Sequence, residues 1–141
     1  LASEHEPELI IDFATLTGAA RTALGADLPP LFSNDIELSE VIHGHGDELE
    51  DPLWPMPLYQ PYMRMLKSNI ANHVNSPSSG FAGCITAALF LQQFVDPDIS
   101  WCHFDTYGWN DGDRPGRPAG GEAMGMRAGF AMLAQRYGHA G

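Results

Sequence analysis

The sequence predicts an α/β protein, a three-layer α/β/α sandwich built on a mixed but mostly parallel sheet. Two observations carry that expectation. Short runs rich in β-branched and aromatic residues alternate along the chain with stretches of helical character. The stretch IIDFATLTGAARTALG, residues 10–25, reads as a buried strand running into a glycine and then a helix. In sheets of this kind ligands sit beyond the carboxyl ends of the strands.

Residues 8–14 (ELIIDFA) form an apolar, β-rich run that reads as a strand covered on both faces rather than an edge. Thr15 or Thr17 can cap a helix that begins near Gly18 and ends at Gly25. Residues 31–33 suggest a second short strand, and residues 36–49 a helix weakened by Gly44 and Gly46. The segment DPLWPMPLYQPY carries four prolines and reads as an extended connector anchored by aromatic side chains. Residues 69–74 suggest another strand, followed by the loop NSPSSG. Residues 80–95 are apolar nearly all round and predict a fully buried helix. Residues 99–105 (ISWCHFD) alternate as a strand; NDGDRPGRPAGG is loop; residues 122–137 close the chain as a helix rich in small residues. TLTG, NSPSSG and DTYGWN are the three segments expected to converge at the strand ends. The 141 residues read as a single domain.

Composition excludes several classes of function. Apolar residues make up 44% and charged residues 18%, which is a globular composition rather than a disordered one. Eighteen acidic residues against seven basic ones give a net charge of −11, the wrong sign for a nucleic-acid surface. No apolar run reaches the roughly 18 residues of a membrane span. The opening LASEHEPEL is acidic, with no basic region of a secretory signal, and the absent initiator Met suggests a fragment. Cys84 and Cys102 lie in apolar contexts and read as buried free thiols of a reducing cytosol.

Chemistry-bearing motifs are sparse. TLTGAARTALG has neither the G-x-G-x-x-G of a dinucleotide site nor a P-loop. No G-x-S-x-G nucleophile elbow occurs, and Cys84 has no His beside it in the sequence. His43, His45, Asp47 and Glu48 are conceivable metal ligands, but residues two apart on a helix point to different faces, so a solvated helix end is the better reading. His103 and Asp105 share a face of their strand and could orient one another or touch a ligand; a core histidine is preferred. Asp12, on a buried strand, calls for a structural partner, with a site role open.

Four segments taken in order, IIDFATLTGAARTALG, DPLWPMPLYQPY, GFAGCITAALFLQQFV with WCHFDTYGWN, and RPGRPAGGEAMGMRA, resemble the leucyl (cytosol) aminopeptidase family across nearly the whole chain. The resemblance implies the C-terminal portion of a catalytic domain that hydrolyses N-terminal residues from peptides. It further implies two divalent metals, zinc or manganese, a homohexamer and a cytoplasmic location, with no nucleic-acid or membrane partner. The family's metal ligands and catalytic Lys and Arg are expected upstream of Leu1; Lys67, the only lysine, sits in the connector. On this reading the chain alone contains no catalytic or metal-binding residue, binds no metal and is inactive. By the family's pattern Thr15, Leu16 and Gly18 lie beside the substrate, and Tyr107 and Asn110 line the pocket for its first side chain. A non-catalytic assembly domain on the same scaffold and a nucleotide-binding α/β module stand as alternatives.

Overall fold

The structure, a computed structural model, describes residues 1–138. Its main sheet has four strands: β1 (Leu9–Ala14), β2 (Pro30–Ser33), β3 (Trp54–Pro55) and β4 (Ser100–Asp105), in the spatial order β1-β4-β2-β3. β1 and β4 run parallel in register from Leu9 opposite Ser100 to Ala14 opposite Asp105. β2 is antiparallel to β4 and parallel to β3, which gives the mixed, mostly parallel sheet the sequence predicts. Four helices flank it: α1 (Gly18–Leu24), α2 (Ile36–Glu48), α3 (Gly83–Gln92) and α4 (Met126–Tyr137). A two-stranded ribbon, β5 (Trp109–Asn110) with β6 (Gly120–Gly121), extends the chain beyond β4.

Strand alternation sorts the core into two layers. Leu31, Cys102 and Phe104 pack with Leu38 and Ile42 of α2 and Ala128 and Met132 of α4. On the opposite face Phe32 packs with Ala20 of α1 and with Cys84 and Ala88 of α3. These helical layers on both faces of the sheet are the sandwich expected from the alternating pattern.

Two helix starts depend on carboxylates. Asp35 caps α2, its Oδ1 accepting the Leu38 amide at 3.1 Å. α4 begins at Gly125, whose backbone is left-handed (φ 76) and whose absent side chain makes no cap. Buried Asp51 takes over, accepting the Gly125, Arg127 and Ala128 amides at 2.9, 2.9 and 3.1 Å.

Three expectations need correction. β1 is an edge strand among those described and only half-buried, because one neighbour, β4, covers just one side of it. Residues 69–74 form no strand: the Ser68 hydroxyl accepts the Ile70 and Ala71 amides, a local turn that competes with a ladder, and Ile70 is fully exposed. The apolar run 80–95 is helical only over Gly83–Gln92. It buries Cys84, Thr86, Ala88 and Leu89 and leaves Phe81 and Phe94 exposed, because hydrophobicity on every side does not supply a neighbour on every side.

Candidate functional site

Because β1 and β4 are parallel and in register, their carboxyl ends coincide, and the chain segments that follow them meet. The Thr106 amide donates to the Ala14 carbonyl at 2.8 Å, extending the pairing one step past the strands. Buried Asp105 then fixes the turn after β1. Its Oδ1 accepts the Leu16 amide at 2.9 Å and the Thr17 amide at 3.2 Å, while Oδ2 accepts the Thr17 hydroxyl at 2.7 Å. The same hydroxyl oxygen accepts the Ala20 amide at 3.1 Å, so Thr17 is the N-cap of α1. One carboxyl side chain thus holds the turn, and through Thr17 the helix behind it.

The turn opens onto a cavity of about 200 Å³. Thr15, Leu16, Thr17 and Gly18 line it together with Arg21, Tyr107, Pro29 and Pro30. A Cβ added at Gly18 would meet no atom within 4 Å, so packing within the chain does not require glycine there. The Arg21 guanidinium lies over the Tyr107 ring, 4.6 Å from its centroid.

Four of the five residues expected at a substrate site, Thr15, Leu16, Gly18 and Tyr107, therefore line one cavity. Asn110 does not. Its amide nitrogen donates to the Pro118 carbonyl at 3.2 Å and to Glu122 Oε2 at 2.7 Å, its oxygen accepts from Arg114, and it borders an adjoining hollow with Asp27 and Arg114. The NSPSSG loop does not line the cavity either, leaving TLTG and the segment after β4 as the two that converge. Sequence reasoning missed Asp105 as the anchor of the turn, although a carboxylate at the end of a strand was a usable signal. It also passed over Arg21.

The other polar candidates have separate partners. His103 does not reach Asp105; its Nδ1 lies 2.5 Å from Asp12 Oδ1, and Asp12 Oδ2 accepts the Trp101 indole N–H at 2.7 Å. The imidazole lies near the Phe32 and Trp101 rings, at centroid distances of 6.1 and 6.2 Å, with its Nε2 lacking a partner among the described residues. His103 is thus a core histidine, held on one nitrogen only. His45 meets Gln135 Oε1 at 2.6 Å, whereas His43 faces Asp47 at 4.0 Å, so the two share no ligand. Burial pushes the Cys102 thiol up to about 12, with the Asp12 and Asp35 charges adding to the effect, and burial likewise raises Cys84. Neither is a nucleophile at neutral pH. The Asp35 carboxyl is held below its ordinary value, chiefly by the Leu38 amide.

A model of the cytosol aminopeptidase family, catalytic domain, matches residues 1–129. The chain belongs to this family. Among curated relatives, a probable cytosol aminopeptidase of Prochlorococcus marinus is 43% identical over 129 residues, covering 89% of this chain and 26% of the relative. Among solved structures, the cytosol aminopeptidase of Coxiella burnetii is 52% identical with a TM-score of 0.90, covering 96% of this chain and 30% of that one. The bottromycin maturation enzyme BotP in complex with Mn is 33% identical with a TM-score of 0.84, covering 92% of this chain and 29% of that one. The chain therefore spans about a quarter of the length of the curated relatives it matches.

Divalent metals do not fit the residues at hand. Among the described residues no group of three or more His, Cys, Asp and Glu side chains could hold an ion. Asp105, the last residue of β4, already accepts from three donors, and Asp12, within β1, meets two side chains. Among the described residues no helix is long and apolar enough to cross a membrane.

Proposed function

We propose that this chain forms the peptide-gripping wall in the catalytic domain of a metal-dependent aminopeptidase. Two divalent ions, zinc or manganese, would be held by residues outside these 141. The observation that carries the reading is the turn 15–17, clamped by Asp105 at the joint carboxyl ends of β1 and β4, in a chain whose residues 1–129 match the aminopeptidase catalytic domain.

The clamp has a chemical consequence. Asp105 consumes the Leu16 and Thr17 amides, so these two residues can meet a peptide only through their carbonyl oxygens, which accept the peptide's N–H groups. Thr15, Leu16 and Gly18 run beside the peptide main chain, where open space at Gly18 admits close approach. Tyr107 faces the first side chain, and Asn110 acts from the adjoining hollow by shaping the β5–β6 ribbon. A homohexamer in the cytoplasm completes the reading.

Leucine anilide with Mn²⁺ or Zn²⁺ tests it. The full-length protein should turn the substrate over in a chelator-sensitive way, and the 141-residue chain alone should not. Chelator-sensitive turnover by the chain alone, or none by the full-length protein, overturns the proposal.

A further inference from the structure

We infer that Arg21 recognises a carboxylate on the peptide bound in this cavity. The inference rests on the peptide-site reading and refines it by naming the substrate's charge.

Most arginines of the chain have a partner within it. Arg114 faces Asp27 at 3.1 Å, Arg117 faces Glu122 at 3.3 Å, and Arg127 donates to the Glu50 carbonyl at 2.8 Å and approaches Asp51. Arg64 donates to the Pro61 carbonyl at 2.8 Å. Arg21, like Arg136, donates to no group among the described residues, but only Arg21 of these two lines this cavity.

Its one contact of note is the face of Tyr107, 4.6 Å from the ring centroid. Cation–π attraction holds the guanidinium over the ring without using its N–H groups as donors to an oxygen, which leaves them for an acceptor. The one carboxylate lining the cavity, Asp105, accepts three hydrogen bonds from the turn and forms no salt bridge with Arg21. An oriented cation beside Thr15, Leu16 and Gly18 is therefore left for an acceptor that arrives with the ligand. A planar guanidinium matches a carboxylate through paired N–H···O bonds.

The carboxylate has two sources in a peptide substrate, an acidic first side chain or the C-terminus of a dipeptide, and calorimetry separates them. Binding to the Mn²⁺-loaded full-length protein is measured for Glu-Gly-amide against Gln-Gly-amide, and for Leu-Gly against Leu-Gly-amide. In one pair the charged member should bind about fivefold more tightly, the scale of an ion pair with an exposed partner. Arg21→Met, a good helix former at an exposed helical position, should abolish that preference, and Arg21→Lys should restore part of it. Equal binding within both pairs, no measurable binding of either, or a preference that survives Arg21→Met overturns the inference. Turnover of leucine anilide by the wild-type protein is scored separately: if it fails, the peptidase reading falls while the affinity ratios still decide the role of Arg21.

Discussion

Replacing Asp105 tests the most consequential set of contacts in the cavity wall. The carboxylate accepts two backbone amides and one hydroxyl, at 2.9, 3.2 and 2.7 Å. Asparagine keeps the shape but offers one acceptor and one donor. With its oxygen on the Leu16 and Thr17 amides, its nitrogen faces the Thr17 hydroxyl, which already accepts from Ala20. That hydroxyl must turn over, and its own proton loses its acceptor. Hydrogen bonds to charged groups contribute about 1.5–3 kcal/mol and neutral ones about 0.5–1.5 kcal/mol, so the exchange costs about 2–3 kcal/mol before solvent is counted. Leu16 is 40% exposed, which lets water replace part of the loss. The net expectation is about 1–2 kcal/mol for Asp105→Asn and about 2–3 kcal/mol for Asp105→Ala, which strands both amides.

Hydrogen exchange in the full-length protein reads this locally. The Leu16 and Thr17 amides should exchange about tenfold faster in the Asn variant and about thirtyfold faster or more in the Ala variant, at about 1.4 kcal/mol per factor of ten. A loosened wall should also lower kcat/KM for leucine anilide by about tenfold or more. Unchanged exchange at these amides in Asp105→Ala, with unchanged kcat/KM, would refute the idea that this carboxylate holds the turn.

Three further outcomes follow from the geometry. Gly125→Ala would place a Cβ 2.7 Å from Phe104 Cδ1 at a left-handed residue, and should cost about 2–4 kcal/mol in thermal or denaturant unfolding. Asp35, whose folded value is depressed, contributes stability that is present above its ordinary value of 3.8 and lost as pH falls through the lower folded value. Acid unfolding followed by circular dichroism should lose that component in Asp35→Asn, which still caps α2. Cys102 and Cys84 should resist a thiol reagent in the native protein at pH 8 and react after denaturation. Because folding raises the Cys102 value from 9.0 to about 12, its contribution to stability is complete below pH 9 and declines as pH rises toward 12.

Much of this architecture was legible in the sequence wherever the signal was local. A strand, a threonine, a glycine and a small-residue helix follow one another directly in IIDFATLTGAARTALG, so β1, α1 and a threonine cap could be placed from neighbours alone, and the structure chose Thr17 over Thr15 for the cap. The pairing of Asp105 with Leu16 and Thr17 could not, because it spans 89 and 88 residues and depends on the parallel register of β1 with β4. His103 illustrates the same limit. Alternation correctly put it on one face with Asp105, but only the neighbouring strand showed that Asp12, directly opposite in register, is its partner. The run 69–74 misled because its apolar content suggested a strand while Ser68 and the asparagines around it favour turns. Arg21 lay unnoticed because a lone arginine on a short helix carries no pattern; its meaning appears only with Tyr107 beneath it.

Asp51 makes two distant parts of the chain interdependent. Residues 126–137 contain no start signal of their own, and a peptide of that segment in isolation would lack the acceptor for its first amides. The closing helix therefore cannot settle until the stretch after α2 has arrived, and damage at position 51 is felt 74 residues later at Gly125. Any scheme that splits, permutes or transplants this polypeptide must keep those two places together.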